Sequence, residues 1–446
     1  MTPSFRPMKK LLASAFVLTM LPWQNASALS LMQAYEAALS NDPTYQAARH
    51  ENEAGQQYRA IGRASLLPTV SANYSASKNK LEYSKPASQP PLDYNSNVAS
   101  ISLRQPIINL DGIARYRQGA AQADFSDAQL SGRSRDLIVR VVSAYADAQY
   151  ADDQLALATA QHDAYNEQMK VNRRLFELGE GTKTDVLETQ AKAELAEAQV
   201  IEARDNLVTA RNTLAGIVGN EVTHLDQLSV IFPIQPMKPA SIDDWKTLAM
   251  EHNADIAAQR FAVETARQEV NKNRAGHYPR LDMVASYSDS KAETVNTYNQ
   301  AYAARSIGVQ LSIPLYSGGY VNAATTQAAA NHAKAKSELD AKTTQVMVEL
   351  RKQYGLVSSG VKRIQALSKA VESARLLITA TEKSIQGGVR VNLDLLNAQQ
   401  QLYSAQRDLA QARYNYLLAY LRLRYSAGTL TPDDLRLVAG YFSPAP

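Results

Sequence analysis

Four short stretches of the chain alternate apolar and polar residues one by one. In "VSANYSAS", Val70, Ala72, Tyr74 and Ala76 face away from Ser71, Asn73, Ser75 and Ser77. Ile101, Leu103 and Ile107 oppose Ser100, Ser102 and Arg104, and Leu281, Met283, Ala285 and Tyr287 oppose Asp282, Ser286 and Ser288. In the fourth stretch Ile307, Val309, Leu311 and Ile313 oppose Ser306, Gly308, Gln310 and Ser312. The pattern predicts strands at about residues 68–80, 94–107, 279–291 and 302–314. A period of two with one apolar face fits either a half-buried sheet or the wall of a membrane barrel.

Elsewhere the apolar positions recur every three or four residues. Leu137, Val141, Ala144, Ala148 and Leu155 mark one such stripe, in a run from Ala114 to Leu178 that holds no proline. The spacing predicts long helices over about 113–178 and 322–386, with return helices over about 184–218 and 392–425. At ~1.5 Å per residue the longer ones would reach on the order of 100 Å. Their stripes are narrow and alanine-rich, which suits close helix-to-helix packing in a coiled-coil-like wall.

These parts occur twice in the same order: helix, two strands, long helix, tight turn, long helix. Residues 41–70 lie over 252–281 without gaps, pairing Arg49 with Arg260, Glu53 with Glu264, Arg63 with Arg274 and Pro68 with Pro279. Pro106 likewise meets Pro314. The turns "GEGTKTDVLETQAK" and "GVRVNLDLLNAQQQ" share Gly179 with Gly388, Asp185 with Asp394, Leu187 with Leu396 and Gln190 with Gln399. The fold class expected is mixed α/β and mostly α, as two repeats over 29–231 and 242–446 joined by a proline-rich linker at 232–241.

Arg6, Lys9 and Lys10 precede the apolar run "LLASAFVLTML", and "ASA" at 26–28 supplies small residues for cleavage, so residues 1–28 read as a secretory signal peptide. No later segment is apolar over a spanning length. The net charge is +4, and the three basic residues named carry most of it, so nothing suggests nucleic acid. An exported chain with 0 cysteines depends on packing or assembly rather than disulfides.

Four strands with little other β-structure to pack on would keep two open edges, which lipid does not tolerate. A membrane barrel needs roughly eight strands or more, so several copies would have to pool theirs. A soluble helical bundle or coiled-coil stalk is the alternative.

The duplicated layout, the turns "LGEGTKTDVLETQ" and "GGVRVNLDLLNAQ", and "ARYNYLLAYLRLRYSAGTL" resemble the TolC family of outer-membrane channels over nearly the whole mature chain. That resemblance implies a homotrimer whose twelve-stranded β-barrel crosses the outer membrane and continues as an α-helical barrel through the periplasm. It implies contact with outer-membrane lipid, a periplasmic adaptor (membrane fusion) protein and an inner-membrane ABC transporter, or a proton-driven efflux pump in its place. Protein export by a type I system is the preferred function, with multidrug efflux as the alternative.

By the same resemblance the two turns are the periplasmic tips, with Gly179, Gly181, Gly387 and Gly388 as turn residues. Arg390 matches the family's constraining arginine, with Thr184 and Asp185 on the neighbouring helix pair as its partners. Ile385 stands where a tyrosine can add a second clasp. Asp394 matches the entrance constriction, and Asn397 replaces the acid expected one helical turn on. Read alone, Thr184, Asp185 and Asn392 are also where helix caps belong.

The six histidines are dispersed, and no metal-binding, phosphate-loop or nucleophile motif is present. The sequence therefore points away from an enzyme, a cofactor or a resident metal. A diffusion porin would need more strands per chain, and a coiled-coil adhesin would need no sealed lumen.

Overall fold

The computed structural model describes residues 28–82, 91–229, 232–234, 237–292 and 300–443. The signal segment expected at 1–28 lies almost entirely outside them. In the first half α1 (Leu31–Asn41) and α2 (Pro43–Ala64) lead to β1 (Thr69–Leu81), β2 (Leu92–Ile108), α3 (Leu110–Glu177) and α4 (Lys183–Val218). A short β3 (Gln227–Leu228) follows. The second half repeats the order with α5 (Ile242–His252), α6 (Ala254–Arg274), β4 (Arg280–Ala292), β5 (Ala301–Ser312), α7 (Tyr320–Gln386) and α8 (Asn392–Ser426). It closes with α9 (Pro432–Ala439) and β6 (Phe442–Ser443).

Each half opens on two helices, not the one expected. The break comes from a capping residue in extended conformation at matching positions. Asp42 (ψ 114°) accepts from the Tyr45 amide, and Asn253 (ψ 123°) accepts from the amides of Asp255 and Ile256. Asp42 is buried, and Arg140 Nη1 and Nη2 donate to its two oxygens at 2.9 and 3.1 Å. Burial alone would raise the carboxyl's pKa, but the Arg140 and cap hydrogen bonds outweigh it and hold the group below its ordinary value. A carboxylate with a depressed folded-state pKa stabilises the fold fully above its unfolded pKa, and that contribution is lost as pH falls through the folded value. Asp42→Ala removes the α2 cap and leaves Arg140 with Asp136 as its one carboxylate partner, and should cost about 1.5–3 kcal/mol at neutral pH. Thermal unfolding at neutral pH and in acid should show the gap between wild type and variant shrinking below about pH 4.

The four long strands form one antiparallel sheet in the order β1-β2-β4-β5. Across its middle Ser71 pairs with Ser102, Ser102 with Ser286, and Ser286 with Ser306, and the β2–β4 register shifts once, between Pro106 and Ile108. Among the described residues no element covers the apolar face, where Val70, Tyr74, Ile307 and Val309 are all 66–78% exposed. Among the described residues nothing pairs with the outer edges of β1 and β5.

α3 spans 68 residues and runs through the whole helical part. Toward the sheet it lies between α2 and α6, and toward the tip between α4 and α8. Against α2 the two backbones nearly touch. A Cβ on Gly119 would stand 2.2 Å from the Tyr58 carbonyl oxygen, and one on Gly62 would stand 2.6 Å from that of Arg115.

The main apolar core surrounds the middle of α3. Leu137, Val141 and Tyr145 are fully buried there with Leu31, Trp245, Leu417 and Leu421, whereas Leu155 of the same stripe is only half-buried. Tyr145 gathers distant segments. Its hydroxyl donates to Leu29 O at 2.8 Å and accepts from the Asp226 amide at 2.9 Å, while its ring meets Phe442 edge-on at 5.3 Å. Phe442 and Ser443 pair with Leu228 and Gln227. Phe232 of the linker packs on Tyr441, with ring centroids 4.9 Å apart, so this end of the linker belongs to the core.

Candidate gate at the helix tips

Both long helices end in the same backbone motif. After α3 the Glu180 amide reaches back to Leu175 O and Gly179 to Phe176 O; after α7 Val389 reaches Ser384 O and Gly388 reaches Ile385 O. This crossed pair of hydrogen bonds needs a left-handed residue at its corner. Gly179 (φ 78°) and Gly388 (φ 70°) supply it, whereas Gly181 and Gly387 do not adopt positive φ. The shared glycine is thus explained by helix termination.

The return helices start differently. α4 is capped by Thr182, not by Thr184. The Thr182 hydroxyl accepts from the Asp185 amide at 3.1 Å, and Asp185 Oδ2 accepts from the Thr182 amide and hydroxyl at 3.2 and 2.6 Å. Asp185 is the reciprocal acid of a capping box, while Thr184 points outward and is exposed. α8 has no side-chain cap at all. Asn392, the expected cap, turns into the protein.

There it joins a network that the sequence did not reveal. Asn392 Nδ2 donates to Thr189 Oγ1 at 3.1 Å, and Gln168 Nε2 donates to Asn392 Oδ1 at 3.1 Å. Asn172 Nδ2 donates to Thr189 Oγ1 at 2.7 Å, and the Thr189 hydroxyl donates to Asp185 O at 2.8 Å. Thr189 and Asn172 are buried. Tyr165, Ala193, Ala196 and Leu396 form a small apolar core beside them. Within one chain, α3, α4 and α8 are pinned together by amides and one hydroxyl. The only signal in the sequence was polar residues interrupting stripes of small ones. Thr189→Val should remove the acceptor that Asn172 and Asn392 share, leaving Asn172 Nδ2 a 3.4 Å contact with Asp185 O, at about 1–3 kcal/mol. Faster amide hydrogen exchange at the start of α8, with the main core around the middle of α3 unchanged, would report it.

Arg390 stands beyond the glycine corner, exposed, and pairs with no side chain of its own protomer among the described residues. Ile385 and Asp394 are half-buried, and Asn397 is exposed. A single protomer therefore does not bring Arg390 to Thr184 and Asp185. Asp185 Oδ1 remains open, since both Thr182 contacts use Oδ2. Among the described residues no group of acids and histidines could hold a metal ion.

A family model for outer membrane efflux proteins matches residues 34–220 and 245–429. The chain belongs to the outer membrane efflux protein family. The alkaline protease secretion protein AprF of Pseudomonas aeruginosa is 46% identical over 425 residues, spanning 94% of this chain and 88% of the relative. The proteases secretion protein PrtF of Dickeya chrysanthemi is 41% identical over 429 residues, spanning 95% and 93%. The crystal structure of the outer membrane protein VceC from Vibrio cholerae superposes with a TM-score of 0.77 at 20% identity, covering 89% of this chain and 96% of that one. Outer membrane efflux proteins of this fold are trimeric channels, not enzymes, that sit in the outer membrane and extend into the periplasm. They work with an adaptor and an inner-membrane transporter. The uncovered sheet is one third of their shared barrel.

Proposed function

We propose that this protein is the exit duct of a type I protein-secretion system, carrying a secreted protease from an inner-membrane ABC transporter and its adaptor to the cell exterior. The observation that carries the duct is the four-stranded sheet, open at both edges and bare on its apolar face, leading directly into helices of 68 and 67 residues. Such a sheet is stable in lipid only when other copies complete it. The cargo class rests on similarity to two proteins named for protease secretion, at 46% and 41% identity over nearly the whole chain. Energy comes from the transporter. A strain lacking the protein should lose extracellular proteolytic activity and keep its drug susceptibility; the reverse pair of results would replace export with efflux.

At the tip, Arg390 of one protomer engages Asp185 and Thr184 of the next, and three copies of Asp394 line the entrance. A ring of carboxylates favours cations and holds multivalent ones. Asn397 contributes no second ring. In planar-bilayer recording, Asp394→Ala should weaken block by a trivalent cation about tenfold or more, the equivalent of ~1.4 kcal/mol. Unchanged block would move the constriction elsewhere.

A further inference from the structure

In the barrel wall the apolar residues face lipid, so the alternate residues face the bore. The strand registers identify that inner set: Ser71, Ser102, Ser286 and Ser306 share one level across all four strands. Their hydroxyls pair along it, Ser71 with Ser102 at 2.8 Å and Ser286 with Ser306 at 2.7 Å. Nearly the whole inner face is hydroxyl, amide or small side chains. Among the described residues of the four strands, the only charges on it are Arg104, Arg280 and Asp282.

Those three side chains sit together at the helix end of the barrel. Arg280 Nε lies 3.0 Å and Arg104 Nε 3.5 Å from the Asp282 carboxylate, and Arg104 Nη2 donates to Gln310 Oε1 at 3.3 Å. The carboxylate is buried (5% exposed) beneath its two partners, whose side chains are 43% and 49% exposed. One acid thus fixes two guanidinium groups in place and neutralises one of them. We propose that this cluster, repeated by symmetry, is a basic collar where the α-helical tube opens into the β-barrel, and that it binds carboxylate-bearing segments of cargo as they pass. Excess charge on a narrow, otherwise neutral wall attracts counter-charges strongly, and guanidinium groups pair with carboxylates through two parallel hydrogen bonds. The collar lies at the opposite end of the tube from Asp394. Only the choice of a polypeptide as ligand rests on the export reading; the charge preference does not.

Purified trimers in a planar bilayer test this, with hexaglutamate or hexalysine added from the extracellular side, which reaches the collar without crossing the tip. Hexaglutamate should block the current and hexalysine should not. Arg104→Gln with Arg280→Gln should weaken hexaglutamate block roughly tenfold or more, the double lysine variant should retain it, and Asp282→Asn should strengthen it. Equal block by the two peptides, or unchanged block in the double glutamine variant, would overturn the proposal. If that variant yields no channels, Asp282→Asn decides, since it adds net charge; unchanged block there would count equally against the collar. A strain showing efflux rather than protease export would leave these results standing.

Discussion

Arg390→Leu should convert a mostly closed channel into a mostly open one, seen as a several-fold larger single-channel conductance in planar bilayers. The argument starts from what Arg390 lacks. It is exposed and pairs with no side chain of its own chain among the described residues, which leaves its guanidinium available to a neighbouring copy. Asp185 is ready to receive it. Its Oδ2 is committed to Thr182, and its Oδ1 is open to a guanidinium. In the proposed gate, capping and gating would use different oxygens of one carboxylate. A hydrogen bond to a charged group contributes about 1.5–3 kcal/mol. Three symmetric copies bring the total to roughly 5–9 kcal/mol, and moving a two-state equilibrium from 1:99 to 99:1 takes about 5.5 kcal/mol. Ile385 offers no hydroxyl as a second clasp. Superimposable traces from wild type and Arg390→Leu would rule this arginine out as the gate.

Gly119→Val should prevent the protein from reaching a folded trimer. The Cβ of any side chain here would stand 2.2 Å from the Tyr58 carbonyl oxygen, a backbone atom in the middle of α2. Neither helix can yield locally, because Gly62 of α2 is pressed just as closely on Arg115 of α3. The variant must part the seam along several turns, a core-overpacking cost above about 4 kcal/mol. Gly216→Ala is the matched control, since no atom lies within 4 Å of the added Cβ in α4. It should be neutral or stabilising by about 0.5–1 kcal/mol. Protease resistance and trimer yield in isolated outer membranes would compare the two. Equal yields would mean that the α2–α3 seam is looser than described.

The long helices and strands were legible because their periods run for many residues, and the duplication because Arg49, Glu53, Arg63 and Pro68 all find partners in one frame. The helix breaks at Asp42 and Asn253 went unread. A single capping residue interrupts the pattern there without changing its period. Thr184 and Asp185 both stand where a cap belongs, but a capping box spaces its members three apart, which selects Thr182 with Asp185. Asn392 was misread for a different reason. Asparagine at a helix start is ordinarily a cap, and only Thr189 and Gln168, 203 and 224 residues away, turn it inward. Local propensity is visible along a sequence; a partner brought in by packing is not. The pairing of Arg390 with a neighbouring copy lies further still from local pattern, since it depends on symmetry.

The node at Tyr145 bears on how a protomer is made. Leu29, Asp226 and Phe442 reach one phenol from across the chain. Non-local closures of this kind form late, because long loops must be ordered before any contact repays them. Phe442 lies far behind Tyr145 in the chain, so the segment around it is made and delivered well after α3. Until it arrives, the belt around the middle of α3 stays unbuckled, and a half-delivered protomer offers its siblings no finished waist on which to assemble.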